Sequence, residues 1–470
     1  MRFNELPFFV FIALFFILYF QTKGRVRLFF LLLSSYFFYG WWDWRFLGVL
    51  WGSTAFNYLI TKKLADTVEE KYRSRWLAVS MAGNLGLLGY FKYCDFFISG
   101  AIQLLHLCGF SASINTLGVI LPIGISFYTF MSLSYTFDIY RKVIEPERDW
   151  LKFSVFVTYF PHLVAGPILR PEHFLPQLRR DIKLTGPALL EGITWILLGY
   201  VKKVVIADSL AVYVDRVFPN TELSGAAGLA IAVVFYAFQI YGDFSGYSDI
   251  AYGLAKIMGY DIGRNFRRPY LAQNFSDFWK RWHISLSGWL RDYLYIGLGG
   301  NRGGKWKTMR NLLFTMLLGG LWHGANWTFI AWGGLHGLLL ILQRILPQSW
   351  FKERDAFDVR RIFQTFIVFS AICLGWIFFR ANSIDQALAF IGKLFTASWS
   401  LGLVQHKFLV AKGGLLLLGL IVFEICSERW RLRTVLLARP FLICPILALT
   451  LCLVAFAGSF DGGHFIYFQF

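Results

Sequence analysis

Cysteine is scarce in this sequence, with six residues among 470 that are scattered along the chain and mostly lie inside apolar runs. None shows the close spacing of a metal-binding pair, so we expect small core residues, no metal site and no disulfide framework. The chain also lacks a Gly-x-Ser-x-Gly elbow and a His-Glu-x-x-His pair. No internal repeat, low-complexity segment or long linker is present, which predicts one integrated domain over residues 1–470.

Acidic residues are outnumbered, with 28 Asp and Glu against 46 Lys and Arg and a formal net charge of +18. In a soluble protein this balance would indicate a nucleic-acid partner. Here the basic residues fall in short breaks between apolar runs, as they do in the cytoplasmic loops of membrane proteins. We therefore expect the lipid bilayer as a partner and no nucleic acid.

Hydrophobic residues make up 57% of the chain, and the mean hydropathy is +0.53. Soluble proteins contain about 45–50% apolar residues even with glycine counted, so the composition predicts an all-α polytopic membrane protein. A weakly charged start without a cleavage site after Phe20 indicates a retained first helix rather than a signal peptide. Apolar runs occur near residues 7–21, 28–42, 46–60, 76–91, 116–131, 151–166, 188–206, 226–241, 311–322, 327–345, 362–379, 408–425 and 440–458.

Several of these runs are shorter than the roughly 20 residues that a perpendicular membrane span needs. Glycine and proline interrupt two of them, at residues 121–126 and 164–168. Interrupted helices are tolerated at membrane depth only where they are buried in protein or line a cavity. The pattern therefore predicts broken and re-entrant helices around an internal cavity.

The least hydrophobic stretch, residues 264–310, carries ten Lys and Arg against Asp277 and Asp292. Its aromatic residues recur at irregular helical spacing, which predicts amphipathic helices at the cytoplasmic face. The positive charge would suit the phosphates of an anionic ligand such as coenzyme A. Attraction to anionic lipid headgroups, worth about 1 kcal/mol per basic residue, explains the same charge and stays open.

A glycine-rich loop lies at the end of this stretch, where residues 299–306 nearly spell a phosphate-binding P-loop. Trp306 stands where a Ser or Thr must hold magnesium, and no parallel-sheet context precedes the loop. Nucleotide hydrolysis is therefore excluded. We expect a turn that presents Arg302 and Lys305 to water or to the phosphates of an anionic ligand.

One histidine, His323, lies between the apolar runs 312–318 and 327–342. An imidazole near bilayer depth is costly and indicates a functional group with a partner or a water path. Its ordinary pKa, near 6.5, also suits proton transfer at neutral pH. A helix-packing histidine bonded to a backbone carbonyl is the alternative, and His323 alone does not separate the two.

Three further polar groups stand out against the apolar background. Residues 241–250 hold two carboxylates, two serines and two tyrosines, which at membrane depth imply a polar cavity. Residues 278–293 combine His283 with tryptophan, arginine and serine, and residues 464–470 end the sequence with Tyr467 in Phe-x-Tyr-x-x-Phe. An interfacial anchor explains the tail aromatics but not a tyrosine at that position.

Four motifs together resemble the membrane-bound O-acyltransferase (MBOAT) family. They are Phe278-Trp-Lys-Arg-Trp-His-Ile-Ser-Leu-Ser, Arg291-Asp-Tyr-Leu-Tyr-Ile, Gly299-Gly-Asn-Arg-Gly-Gly and Gly320-Leu-Trp-His-Gly-Ala-Asn. The pair Lys202-Lys203 with Ala207-Asp208, and residues 241–249, add supporting matches. The resemblance is greatest to the bacterial branch with alginate and peptidoglycan O-acetylation proteins and the D-alanyl-teichoic-acid acyltransferase.

The resemblance implies a funnel-shaped bundle of roughly eleven transmembrane helices, with re-entrant and interfacial helices around a tunnel. It also implies that His323 is the catalytic histidine and that His283 is the second motif histidine. The tail 465–470 resembles the C-terminal Phe-x-Tyr-x-x-Phe element of the small partner peptide in the D-alanylation system, which implies that Tyr467 carries the acyl group transiently. Asn326 would donate a hydrogen bond to an oxyanion or to the imidazole. The candidate donor-binding and tunnel residues are Asp243, Ser245, Tyr247, Trp282, Arg291, Arg302, Lys305 and Trp322.

The expected activity is transfer of an acyl group, acetyl before D-alanyl, from a cytoplasmic thioester to an extracytoplasmic cell-envelope polysaccharide. Acetyl-CoA, or another acyl thioester, would be the donor substrate, with no bound cofactor, in the bacterial cytoplasmic membrane. An extracytoplasmic acyltransferase would be the partner that modifies the polymer, an alginate-like exopolysaccharide or peptidoglycan. A secondary transporter with broken helices and buried Asp243 and Asp249 stays open as the alternative class.

Overall fold

The computed structural model describes residues 1–110, 115–180, 182–354, 358–402, 407–429, 440–458 and 466. Within these ranges the chain is helical and contains no strand, which confirms the all-α prediction. The helices are α1 (Leu6–Gln21), α2 (Gly24–Gly40), α3 (Leu47–Asp66), α4 (Glu70–Leu88), α5 (Cys94–Leu107), α6 (Ile125–Tyr140), α7 (Trp150–Thr158), α8 (Phe160–Leu163), α9 (Pro171–Phe174), α10 (Gly186–Tyr200), α11 (Asp208–Val217), α12 (Ala226–Ile257), α13 (Phe275–Arg281), α14 (Ile284–Trp289), α15 (Lys305–His323), α16 (Trp327–Ile345), α17 (Val359–Arg380), α18 (Ile384–Thr396), α19 (Lys407–Arg429) and α20 (Pro440–Ala457).

Four helices in the described part of the chain are long and apolar enough to cross a membrane: α12, α16, α17 and α19. The short helices confirm the predicted interruptions, because the run at 116–131 becomes helical only at Ile125. Gly124 precedes that helix with φ of 77°, and a side chain there would come within 2.3 Å of the Leu163 carbonyl oxygen. Only glycine meets both conditions without strain.

The chain divides into two compact units, and the first contains Met1–Leu189 and Leu254–Gly263. Its core surrounds α6, which is buried along almost its whole length. Serine and threonine side chains on this helix bond to carbonyl oxygens one turn back, as Thr136 does to Ser132 at 3.0 Å. The buried His162 likewise bonds through Nδ1 to the Tyr159 carbonyl, 2.6 Å away. Some of the buried polar groups of this unit are therefore satisfied within one helical turn.

The second unit contains Leu190–Gly253 and Arg264–Phe470. Its closest helix pair is α15 and α16, which meet through glycines. A side chain at Gly320 would come within 2.2 Å of the Phe329 carbonyl oxygen, and one at Gly333 within 2.3 Å of the Met316 carbonyl oxygen. Small residues at such contacts let helix backbones approach closely. This contact fixes the end of α15, where His323 lies.

We expect Gly320→Ala to lower the free energy of unfolding by about 1–3 kcal/mol, the usual cost of overpacking a close contact. The new methyl group would meet a backbone oxygen that cannot rotate away. Gly334→Ala is the matched control on α16, since a side chain there would lie 3.5 Å from Leu317, an ordinary contact. Unfolding in mixed detergent micelles measures both variants. Equal losses would contradict the proposed role of the glycine contact.

Candidate active site

His323 is the last residue of α15 and is only 5% exposed. Its ring makes edge contacts with Trp332 and Phe379, at centroid distances of 5.0 and 5.3 Å. The chain turns into an extended conformation at Gly324, where a side chain would collide with the Phe329 ring. An imidazole is thus held inside a cage of aromatic rings at the end of a helix.

His283 lies between α13 and α14 with a positive φ of 41° and no solvent exposure. Its Nδ1 lies 3.2 Å from Oδ1 of Asn265, which also accepts hydrogen bonds from the amide and hydroxyl groups of Ser285. Because an amide oxygen only accepts, Nδ1 carries the proton and Nε2 is left as the basic nitrogen. Burial lowers the pKa of His283 to about 3, so the ring is neutral at physiological pH.

The two motif histidines share a neighbour, Trp322. The Trp322 ring lies 5.0 Å from the His323 ring and 6.0 Å from the His283 ring, centroid to centroid. The predicted site residues His323, His283 and Trp322 are therefore brought together although His283 is 40 positions earlier in the chain. Trp282 is also buried, and its ring packs on Trp376 at 4.9 Å.

A third buried histidine of the second unit, His336, was missed by the sequence reasoning. It lies on α16 and its ring contacts Trp332 at 4.7 Å and Trp279 at 5.1 Å. His323 was singled out because it is an imidazole among apolar residues, and the same criterion applies to His336. Trp332 thus lies between two buried imidazoles.

The polar group at residues 241–250 lies within α12 rather than beyond it. The apolar run was expected to end at residue 241, but the helix continues to Ile257 and buries Asp243, Ser245 and Tyr247. The helix tolerates the carboxylates because lysines on the preceding segment neutralise them: Lys203 lies 2.6 Å from Asp243.

Lys202 forms the second ion pair of this kind, 2.7 Å from Asp249. Lys203 also pairs with Asp208 at 2.9 Å, so one ammonium group serves two carboxylates. The adjacent Tyr241 donates a hydrogen bond to Glu424 on α19. The sequence offered Lys202 and Lys203 only as supporting family matches and gave no sign of which acid each would meet.

A cavity of about 40 Å³ opens beside this cluster, enough for a few water molecules. Its lining consists of Lys203, Ala207, Asp208, Ala211, Asp215, Tyr236, Gln239, Asp243, Arg380 and Ile466. The polar cavity predicted from residues 241–250 is therefore present. Arg380 directly follows Phe379, one of the rings against His323.

Asn326 has a structural role that was not predicted. Its Oδ1 accepts the Thr328 amide at 3.0 Å and caps α16, and its Nδ2 donates to the Asn382 carbonyl at 3.1 Å. An Asn before an apolar helix is a common N-cap. The expected contact with an oxyanion or with the imidazole stays a prediction, because the Nδ2 group has a second N–H beside the one donated to Asn382.

The basic segment divides into an exposed part and a buried part. Arg302 and Lys305 are exposed beside a glycine turn, as expected, and Arg291 pairs with its neighbour Asp292 at 2.7 Å. Earlier in the segment, Arg281 is buried and pairs with Asp277 at 2.8 Å. Arg281 is the one buried basic residue of 264–310, and α13 and α14 pack their aromatic rings into the core, as amphipathic helices do. The cytoplasmic face of this segment stays a prediction.

Tyr467 lies outside the described residues. Its neighbour Ile466 is described and is buried, and its amide donates a hydrogen bond to Oδ2 of Asp243 at 2.7 Å. The tail and the α12 carboxylate, 223 positions apart in sequence, therefore meet in the second unit.

The sequence of this chain is similar to those of known proteins. Residues 9–382 match the model of the membrane-bound O-acyltransferase family. The chain is 43% identical over 401 residues to a Pseudomonas putida protein named "Probable alginate O-acetylase AlgI", covering 84% of this chain and 80% of that one. It is 36% identical over 384 residues to the Helicobacter pylori peptidoglycan O-acetyltransferase, covering 76% and 72%.

A more distant relative is the Bacillus subtilis teichoic acid D-alanyltransferase, 27% identical over 276 residues, or 55% of this chain and 68% of that one. All three relatives are named for acyl transfer, which removes the transporter alternative. The family match spans His283 and His323. The chain belongs to the membrane-bound O-acyltransferase family and is an acyltransferase of the membrane.

Proposed function

We propose that this acyltransferase moves an acetyl group from a cytoplasmic thioester, acetyl-CoA, across the bacterial cytoplasmic membrane for O-acetylation of an extracytoplasmic cell-envelope polysaccharide. The relatives named for O-acetylation are 43% and 36% identical, against 27% for the teichoic acid D-alanyltransferase. Alginate-like exopolysaccharide and peptidoglycan are both candidate polymers. A separate extracytoplasmic acyltransferase would place the group on the polymer.

The observation that carries the proposal is the buried His323 in its aromatic cage, next to the Trp322 ring that it shares with His283. A hydroxyl group attacks a thioester readily only when a base within hydrogen-bond reach takes its proton. His323 would accept that proton while the new carbon–oxygen bond forms. The carbon–sulfur bond then breaks, and the proton passes from His323 to the departing thiolate.

His283 would act beside it as a neutral group, because its Nε2 is the basic nitrogen and its proton is held toward Asn265. The aromatic rings around His323 exclude bulk water, which strengthens electrostatic interactions inside the site. Trp282 and Trp322 would form part of the tunnel wall on this side. Ser245 and Tyr247, buried on α12, would form part of it on the other.

The first acceptor is proposed to be Tyr467, whose phenol has an ordinary pKa near 10 and can be activated by a base. The acyl ester on Tyr467 would then be the substrate of the extracytoplasmic partner. Arg302 and Lys305, both exposed, would bind the phosphates of the donor, with Arg291 nearby in sequence. No bound cofactor is needed for any of these steps.

Thioester cleavage by the purified protein tests the function and separates its two versions. Proteoliposomes supplied with radiolabelled acetyl-CoA should release free coenzyme A and retain label on the protein, whereas a D-alanyl carrier thioester should give neither. The inactive control is the His323→Ala protein in the same vesicles. Cleavage of the D-alanyl thioester alone would replace the acetyl proposal with D-alanyl transfer to teichoic acid.

A further inference from the structure

The amide of Ile466 is bonded to a carboxylate that already has a strong partner. Asp243 accepts this N–H at Oδ2, 2.7 Å away, while its Oδ1 lies 2.6 Å from the Lys203 ammonium group. Asp243 is 2% exposed and Ile466 is 6% exposed. The contact is therefore a charge-assisted hydrogen bond away from bulk water, a strong class of hydrogen bond in proteins.

The charge balance explains why Asp243 has capacity for another donor. Lys203 serves Asp243 and Asp208 together, so this buried group has one more negative charge than positive. Arg380 and Asp215, which also line the cavity, form their own balanced pair at 2.9 Å. A buried carboxylate that shares its only cation needs further hydrogen-bond donors, and a backbone amide supplies one.

Asp249 shows the contrast on the same helix. It is also buried and pairs with a lysine, Lys202 at 2.7 Å, and the positive charge of Arg264 acts on it as well. The described part of the tail makes its hydrogen bond to Asp243 and not to Asp249. The two carboxylates thus differ in the second cation that acts on Asp249 and in the cavity in front of Asp243.

We propose that Lys203, Asp243 and Asp208 form a docking site for the chain's own C-terminal segment, held through the backbone at Ile466. The three are positioning residues, which fix where the tail lies rather than react. The purpose of this docking rests on the proposed function, because the hydroxyl of Tyr467, the next residue, would have to return to the same place in each reaction cycle. The docking itself does not depend on acyl transfer.

Digestion of the full-length protein with a carboxypeptidase measures docking, with intact mass recording the loss of residues 467–470. Asp243→Ala should raise the rate of release about 10- to 100-fold, the equilibrium equivalent of losing a hydrogen bond to a charged group. Asp243→Asn keeps an acceptor oxygen, so its rate of release should lie between those of the wild type and Asp243→Ala. Asp249→Asn, which breaks a comparable buried ion pair, should leave the rate unchanged.

Ile466→Pro tests the same contact without altering the cluster, because proline has no backbone N–H. It should release residues 467–470 about tenfold faster than Ile466→Ala, which shortens the side chain but keeps the N–H. Equal rates for these two variants, or an equal rise for Asp249→Asn and Asp243→Asn, would overturn docking at Asp243. Both measurements need no donor, so a failure of thioester cleavage with docking intact would overturn only the proposed function.

Discussion

Replacing His323 with alanine should lower the rate of thioester cleavage by about 10²–10⁴-fold, the usual cost of losing a general base. The imidazole is buried at the end of α15 and is enclosed by Trp322, Trp332 and Phe379. The measurement is kcat/KM for coenzyme A release from acetyl-CoA by protein purified in detergent, at equal amounts of folded enzyme.

His336→Ala is the matched control for this prediction. His336 is also a buried imidazole, and it contacts Trp332 from α16 much as His323 does from the end of α15. Both variants leave a cavity in the same aromatic cluster and should lower thermal stability to a similar extent. Only His323→Ala should abolish cleavage. A His323→Ala protein with more than a tenth of normal activity would identify His323 as a packing residue.

The sequence predicted elements of the fold better than it predicted partners. Hydropathy and glycine–proline breaks located the helices and the interruption before Ile125, because both are local properties of the chain. The run at 226–241 was expected to end at the first polar residue. The helix nevertheless continues through the polar residues to Ile257, because Lys202 and Lys203, about 40 positions earlier, neutralise Asp249 and Asp243. Such pairing depends on tertiary structure and leaves no local sign.

The ion pairs of the basic segment, residues 264–310, also depend on tertiary structure. The charges and aromatic residues of 264–310 predicted amphipathic helices at the cytoplasmic face, with cations available to an anionic ligand or to lipid headgroups. Arg281 is instead buried against Asp277, and Arg268 pairs with Glu428, 160 positions later. Seven of the ten basic residues, Arg302 and Lys305 among them, are exposed as expected. A count of charges gives the number of cations but does not tell which acidic residues the fold places beside them.

Asn265 and Asn326 show the limit for the site. The sequence placed Asn326 in the chemistry because it follows His323 by three positions, whereas the fold uses it to cap α16. Asn265, which no motif singled out, holds the Nδ1 side of His283. Proximity in sequence therefore gave no sign of Asn265, since the groups that orient a ring come from whichever loop packs against it.

Replacing Tyr467 with phenylalanine should reduce acylation of the polymer to background. The change removes one oxygen and keeps the aromatic ring, so its main effect is the loss of the hydroxyl proposed to carry the acyl group. The reaction at Tyr467 would form an aryl ester as the thioester breaks, with the phenolic proton passing through His323 to the thiolate. Aryl esters transfer readily, which suits a group that must be handed on.

Peptide mass spectrometry gives the direct measurement. Wild-type protein with acetyl-CoA and no acceptor should carry one acetyl group on the tail peptide, and both Tyr467→Phe and His323→Ala should carry none. Phe468→Leu is the matched control, because it alters the same tail at a variable position of the Phe-x-Tyr-x-x-Phe pattern and removes no hydroxyl. It should keep both the tail acetyl group and polymer acylation. Normal polymer acylation by Tyr467→Phe would exclude the relay, and His323 would then activate a hydroxyl on a separate acceptor molecule.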